Sequence, residues 1–178
     1  MKIPITGLSE GLHVLNFVES LAEFGLENHP HLRQDVHVRV ELEKRSPKYF
    51  LKNDVRTIGH FFCDRCLVEF DLKLSEMSRA VFTTDAELIA QHEDEEVYYI
   101  DPHAKELDIA AIIRDTLLLS IPMKRVCSSS CRGFCAGCGA NLNEEKCRCA
   151  PAPPDPRWQK LRKMNGAGLE IKPDARVD

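Results

Sequence analysis

The eight cysteines constrain the fold of this 178-residue chain more than any other feature, because they fall into four closely spaced pairs. Short spacings such as CxxC allow one loop to deliver two thiolates to the same metal ion. One pair stands far upstream of the others. The pairs are Cys63/Cys66, Cys127/Cys131, Cys135/Cys138 and Cys147/Cys149.

The last four cysteines predict one zinc site. Cys135 and Cys138 form a CxxC, and Gly139 follows where the turn of a zinc knuckle needs a residue that tolerates positive φ. The segment up to Cys147 and Cys149 is rich in turn-forming Gly and Asn. We therefore predict a closed, all-thiolate site from these four cysteines.

The remaining four cysteines predict a second site. Cys63, Cys66, Cys127 and Cys131 again form two pairs with spacings typical of zinc ligands. Such a site would tie a turn near residue 65 to the segment that enters the late cysteine block. All-thiolate sets leave no open coordination position, so the sequence predicts one or two structural Zn²⁺ ions and no catalytic role.

Three other readings of the cysteines compete with zinc. A disulfide framework would allow about 105 pairings, but such bridges are rare in the cytosol. A thioredoxin-like site would need its CxxC at the start of a helix, whereas Cys63 lies among predicted strands. Iron–sulfur proteins use different spacings. His60 is a candidate substitute ligand because it lies close to Cys63.

Alternating apolar and polar residues predict a sheet. Val36 to Leu42 and Val68 to Leu74 each read as a strand with one buried face. Asn53-Asp54 is a candidate turn, and Cys63–Cys66 falls at another. Residues 34–84 therefore predict an antiparallel meander or a partly open barrel, whereas residues 3–26 do not distinguish strand from helix.

One main helix is predicted near 107–120, so the fold class is α+β. Asp108 is the expected N-cap, and Pro122 would end the helix. The apolar stripe expected to pack on the sheet consists of Leu107, Ala111, Leu118 and Ile121.

The sequence suggests four regions. The β-rich body covers 1–124, and a cysteine-rich zinc-knuckle module covers 125–150. Proline-rich residues then lead into a short basic helix at 155–164, which opens with Asp155-Pro156. Residues 165–178 are expected to form a flexible tail.

Charge is divided unevenly along the chain. Residues 1–123 carry 13 Lys+Arg and 22 Asp+Glu, whereas residues 124–164 carry 9 and 3. A basic end favours contact with a polyanion such as RNA. The RNA-binding candidates are Lys124, Arg125, Arg132, Lys146, Arg148, Arg157, Lys160, Arg162 and Lys163.

An acidic run at 85–101 has two interpretations. The simpler interpretation is a solvated loop, and the more specific one is a docking site for a basic partner protein.

Several classes of protein are disfavoured by the sequence. No stretch reaches the roughly 18 apolar residues of a membrane span, and no signal peptide is visible, so a cytoplasmic location is expected. No phosphate-binding glycine loop, catalytic triad or paired-carboxylate motif stands out. We therefore expect no enzymatic activity, no small-molecule substrate and no membrane partner.

Four motifs resemble one known family. "CDRCLVEF", "LDIAAIIRDTLLLSIPM", "RGFCAGCGANLNEEKCRC" and "DPRWQKL" occur in the order and spacing of the YceD family of large ribosomal RNA accumulation proteins, over about residues 35–164. The resemblance implies a bacterial or plastid ribosome-biogenesis factor without enzymatic activity. Such a factor would support the synthesis, processing or stability of the large-subunit (23S) ribosomal RNA.

The function expected from these observations is therefore a zinc-stapled accessory factor that acts on ribosomal RNA or a pre-ribosomal particle. One alternative is a protein–protein adaptor that makes no RNA contact and docks through the acidic run and the helix around Trp158. The other alternative is a thiol redox switch that releases zinc on oxidation. Such a switch would require exposed cysteines of low pKa.

Overall fold

The computed structural model describes residues 1–86, 96–150 and 157 of the chain. Seven strands, one 3₁₀ helix and one α-helix lie in these ranges. In chain order they are β1 (Lys2–Pro4), β2 (Gly11–Glu19), the 3₁₀ helix (Leu21–Phe24), β3 (Val36–Arg45), β4 (Lys48–Phe62), β5 (Glu69–Thr83), β6 (Val97–Tyr99), β7 (Glu106–Asp108) and α1 (Ala110–Leu119).

Five strands form one mixed sheet in the order β2-β3-β4-β5-β6. The first four are antiparallel neighbours, so the predicted meander is confirmed in its main part. β6 pairs parallel to β5, because the chain crosses back between them instead of turning directly. β1 and β7 form a separate two-stranded antiparallel sheet.

The core lies on one face of the five-stranded sheet. Alternate residues of β3 are buried, as the sequence predicts, because successive side chains of a strand point to opposite faces. The 3₁₀ helix, the two-stranded sheet and α1 contribute Phe24, Ile3 and Ile113 to the same hydrophobic core. The fold is thus an open sheet with one α-helix in the described part of the chain.

β4 runs straight through the candidate turn at Asn53-Asp54, so that prediction was wrong. The Asn53 amide is fully buried, and its nitrogen donates to the Ser78 hydroxyl on β5 at 3.3 Å. Asp54 lies on the other face and pairs with Arg56. Asn53 pairs with Val40 of β3 and with Ser78 of β5, and this tertiary pairing overrides the local turn preference of the dipeptide.

Helix α1 begins three residues later than the start of the predicted range. Glu106–Asp108 form β7, and the Asp108 carboxylate accepts a hydrogen bond from the Ala110 N–H at 3.0 Å. Leu107 is buried, and Leu118 and Ile121 pack against the core as predicted, whereas Ala111 is exposed, so the predicted stripe was wrong at Ala111. The fully buried residues follow 3.6-residue spacing from Ile109: Ile109, Ile112, Ile113, Thr116 and Leu117.

Residue contacts divide the chain into two compact units, Met1–Cys131 and Arg132–Asp178. The first unit contains both sheets and α1. The described part of the second unit consists of turns, with an isolated antiparallel bridge between Phe134 and Asn141. The division into four regions at 124, 150 and 164 stays a prediction.

Several predicted features lie outside the described residues. These are most of the acidic run, the basic helix at 155–164 apart from Arg157, and the tail. β6 falls inside the 85–101 segment that the sequence suggested to be a loop. In the described residues, no helix is long and apolar enough to span a bilayer.

Candidate metal centres

The hairpin of β4 and β5 ends in a tight turn that holds Cys63 and Cys66. The Leu67 N–H donates to the Cys63 carbonyl at 2.9 Å, and the Cys63 N–H donates to the Val68 carbonyl at 2.9 Å. Two 15-residue strands lead into this turn, so the pairing of β4 with β5 places both thiols at one end of the sheet.

Cys135 and Cys138 lie in a second turn with the same hydrogen bonds. The Gly139 N–H donates to the Cys135 carbonyl at 2.9 Å, and the Cys135 N–H donates to the Ala140 carbonyl at 2.9 Å. Each bond spans the same number of residues as its counterpart in the hairpin turn. We call both turns cysteine knuckles.

Both cysteine knuckles require a left-handed residue directly after the second cysteine. Gly139 meets this requirement with φ of 71°, whereas Leu67 adopts φ of 56°. A non-glycine residue in this region costs roughly 1–2 kcal/mol, because its Cβ approaches the following carbonyl oxygen. Leu67 is the only non-glycine residue with positive φ in the described part of the chain.

The first group of thiols, which we call the buried cluster, lies entirely in the first unit. Its Sγ atoms lie within 4.8 Å of one another, and three of its four residues are buried. The Cys63 and Cys131 sulfurs are 3.8 Å apart, and the Cys66 and Cys127 sulfurs 3.6 Å. Val126 and Phe70 pack against the cluster.

The second group of thiols, which we call the exposed cluster, lies entirely in the second unit. Cys135, Cys138, Cys147 and Cys149 also place their Sγ atoms within 4.8 Å of one another. The Cys135 sulfur is 3.4 Å from that of Cys147 and 3.7 Å from that of Cys149. Three of the four residues are exposed to solvent.

These distances match metal ligation better than disulfide bonding. All eight cysteines are free thiols, and a disulfide would need sulfurs about 2.0 Å apart. A tetrahedral Zn²⁺ with Zn–S bonds of about 2.3 Å places its ligands about 3.8 Å apart. The structure thus brings together both predicted sets of four cysteines, and each set could hold a metal ion.

The backbone of the buried cluster favours a thiolate at Cys63. Burial alone would raise the pKa of this thiol, but hydrogen bonds from the backbone N–H groups of Cys127, Arg65 and Cys66 together lower it to about 6. Burial and hydrogen bonds with the neighbouring thiols raise the pKa of Cys127 to about 12. Without a cation, the four sulfurs therefore do not ionise together near neutral pH.

In the exposed cluster, too, the pKa of one thiol is lowered and that of another is raised. Backbone N–H groups of Arg148 and Ala140 lower the pKa of Cys138 to about 6. Hydrogen bonds with the other three thiols, those of Cys135 and Cys147 first, raise the pKa of Cys149 to about 12. A bound divalent cation would offset the mutual repulsion of four thiolates, so this donor set fits a metal such as Zn²⁺.

Gly137 is required by the close approach of Cys149. A Cβ at Gly137 would lie 2.6 Å from the Cys149 sulfur, well inside van der Waals contact. Arg65 holds the same position in the other cysteine knuckle, and its guanidinium donates to the Cys131 carbonyl at 2.6 Å. The two cysteine knuckles thus use one backbone design with different side chains.

A network around Arg125 fastens the hairpin to the segment that carries Cys127 and Cys131. The Arg125 N–H donates to the Asp64 carboxylate at 2.7 Å, and the Asp64 N–H donates to the Arg125 carbonyl at 2.7 Å. The Arg125 guanidinium donates to Nε2 of His31 at 3.0 Å and lies 6.0 Å from the centre of the Phe61 ring. These contacts align the two halves of the buried cluster.

The Arg125 network was not foreseen from the sequence. His31 is far from Arg125 along the chain, and no motif links the two residues. His60, the candidate substitute ligand, lies outside the buried cluster, and its Nδ1 lies 2.8 Å from the Asp71 carboxylate.

The RNA-binding candidates differ in their surroundings. Arg125 is half-buried and already bound to Asp64 and His31. Arg148 forms an ion pair with Glu145 at 2.8 Å. Three candidates lie outside the described residues: Lys160, Arg162 and Lys163. Among the described residues, the exposed candidates are Lys124, Arg132, Lys146, Arg148 and Arg157.

Comparison with known proteins supports the resemblance drawn from the motifs. The model of the family described as "Large ribosomal RNA subunit accumulation protein YceD" matches residues 51–165. This range includes β5, α1 and all eight cysteines. No solved structure matches the chain at a significant level.

Two plant proteins are similar to the chain. The protein "Large ribosomal RNA subunit accumulation protein YCED homolog 1, chloroplastic" of Arabidopsis thaliana is 32% identical over 142 residues, which is 64% of this chain and 43% of the relative. Its Zea mays counterpart of the same name is 32% identical over 146 residues, 67% of this chain and 50% of the relative. The chain thus spans half or less of these relatives, and the predicted cytoplasmic location stays a prediction.

Proposed function

Since the chain belongs to the YceD family of large ribosomal RNA subunit accumulation proteins, we propose that it supports accumulation of the large-subunit (23S) ribosomal RNA as a non-enzymatic biogenesis factor. Family membership carries this proposal. The family name refers to the amount of an RNA rather than to a reaction. The protein would accordingly act on the synthesis, processing or stability of this RNA.

Each cysteine cluster is proposed to hold one Zn²⁺ ion. Support comes from the sulfur separations of 3.4–3.8 Å, which match the edge of a zinc–thiolate tetrahedron. Four thiolates fill the coordination sphere and leave no position for water or substrate. The role of both ions is accordingly structural, with Cys63, Cys66, Cys127 and Cys131 around one and Cys135, Cys138, Cys147 and Cys149 around the other.

Contact with RNA is proposed to involve the basic residues between 124 and 163. In the second unit, Arg132, Lys146 and Arg148 are exposed, and they stand close in sequence to cysteines of the exposed cluster. Exposed Lys and Arg side chains bind phosphate by displacing counterions, without a need for base-specific contacts. The acidic segment at 85–101 is proposed as a docking site for a basic partner protein.

The proposed RNA role is tested by depleting the protein in cells that express it and measuring both ribosomal RNAs. We expect the large ribosomal RNA to fall relative to the small one, and the native protein supplied in trans to restore it. The variant Met77→Ala, at an exposed position of β5, should restore it equally well. Equal loss of both RNAs, or no loss, would contradict the proposal.

The zinc proposal is tested separately by metal analysis of protein purified without added metal. We expect two zinc ions per chain in the native protein and one in Cys138→Ser, whose remaining ion is held by the buried cluster. Cys63→Ser should lose the other ion and be less stable, because its site is part of the first unit. Less than one ion per native chain would overturn the zinc proposal and leave the RNA proposal standing.

A further inference from the structure

One edge of the five-stranded sheet is formed by β2, which has a strand partner on one side only within the part of the chain that the structure describes. In the described residues, the backbone of β2 forms hydrogen bonds with β3 alone. The strand is nine residues long and contains no proline. Its free side is therefore a row of backbone donors and acceptors that can pair with another strand.

The exposed face of β2 is apolar. Leu12, Val14 and Val18 are 64%, 45% and 61% exposed, and Asn16 completes the alternating row. The neighbouring strand β3 places charged residues on the same face, such as Arg39 and Glu41, which pair with each other. Edge strands usually carry charges, bulges or proline that prevent pairing, and β2 shows the reverse pattern.

The sequence of β2 is complementary to itself when two copies run antiparallel. With Leu15 opposite Leu15 of the second copy, Leu12 faces Val18, His13 faces Phe17 and Val14 faces Asn16. No like charges lie opposite one another in this register, because Glu19 at one end faces Gly11 at the other. Cross-strand apolar pairs of this kind stabilise a sheet by roughly 0.2–1 kcal/mol each.

We propose that β2 pairs with β2 of a second copy of this chain, antiparallel and centred on Leu15, so that two sheets join into one. The interface is isologous, since every contact occurs twice around a twofold axis. Self-complementarity is what favours a second copy over an unrelated strand. A single strand pair, with one strand from each copy, forms the centre of the dimer, and dimerisation depends on protein concentration.

The test uses two double variants of the full chain that differ at one position. Leu12→Lys/Val18→Lys places lysine opposite lysine twice, so the dimer dissociation constant should rise about tenfold or more. Leu12→Lys/Val18→Glu changes the same exposed sites but places lysine opposite glutamate, so dimerisation should be retained. Sedimentation equilibrium over a wide range of concentrations measures the constant, and thermal unfolding checks that both variants fold.

Met77→Lys serves as a control for added charge on the same sheet away from the edge, because Met77 is exposed on β5. It should leave the dissociation constant unchanged. A native chain that stays monomeric at all concentrations would overturn the proposal. So would equal dimerisation of the lysine–lysine and lysine–glutamate variants, because the dimer would then use another surface or register.

Discussion

Leu67 and Gly139 occupy equivalent positions in the two cysteine knuckles, yet only the glycine could be foreseen. Gly139 directly follows a CxxC and signals a left-handed residue there. Leucine carries no such signal, and its strained backbone is imposed by the hairpin that β4 and β5 form on either side. Residue-level prediction thus succeeded where the residue type itself reports the backbone conformation.

At the same scale, the thiols of the exposed cluster should differ in reactivity once metal is removed. At pH 7, Cys138, with a pKa of about 6, is mostly thiolate, whereas Cys149, with a pKa of about 12, is a neutral thiol. Because the thiolate is the nucleophile, iodoacetamide should modify Cys138 first, as followed by peptide mass spectrometry. The rate at Cys138 should fall as the pH is lowered through about 6.

Added zinc provides the control for this experiment. It should slow modification of both residues, because bound thiolates are shielded by the metal. Equal rates at Cys138 and Cys149 in the metal-free protein would contradict the predicted division of charge within the exposed cluster.

Among the elements, the strands were easier to predict than their junctions. The alternation of Val36 to Leu42 identified β3, because a half-buried strand has a period of two. The turn assigned to Asn53-Asp54 failed, since a buried partner on β5 is a tertiary contact that local sequence does not report. The predicted stripe of α1 was wrong at Ala111 for a similar reason, because local sequence does not report that Leu107, from which the stripe was counted, lies in β7.

The junction between the β4–β5 hairpin and the segment at Arg125 can be tested by mutation. Arg125→Ala removes the guanidinium contacts with Asp64, His31 and the Phe61 ring. We expect a loss of about 1–2 kcal/mol in the free energy of unfolding, measured by urea denaturation of the zinc-loaded protein.

Arg33→Ala is the matched control, because Arg33 is exposed and lies close to His31 in the sequence. It should change the free energy of unfolding by less than about 0.5 kcal/mol. If both variants lose the same amount, Arg125 does not fasten the hairpin to this segment.

Over the whole molecule, spacing predicted the two sets of cysteines, but it could not show that distant pairs meet. Cys66 and Cys127 are 61 positions apart, and their approach depends on the complete path of β5, β6 and α1. The four cysteines of the exposed cluster lie close together in the sequence, so their grouping into one site was easier to predict. The family resemblance from four motifs is confirmed by the match over residues 51–165.

The division of charge along the whole chain leads to a prediction about RNA binding. Residues 1–123 hold a net charge of −9, and residues 124–164 hold +6. Affinity for large-subunit ribosomal RNA should fall steeply with salt, and Lys146→Ala or Arg132→Ala should each reduce the slope of log affinity against log salt by about one.

Lys105→Ala, an exposed site in the acidic part of the chain, should leave that slope unchanged. Binding that does not respond to salt would favour action through a partner protein.

The distance in sequence between the two halves of the buried cluster has a consequence for biosynthesis. A metal ion held by Cys63, Cys66, Cys127 and Cys131 closes the intervening polypeptide into a ring, which restricts the unfolded chain and favours folding. That ring cannot close until Cys131 has left the ribosomal exit tunnel. Cys63 and Cys66 therefore remain without their two partner thiols until most of the chain has been translated.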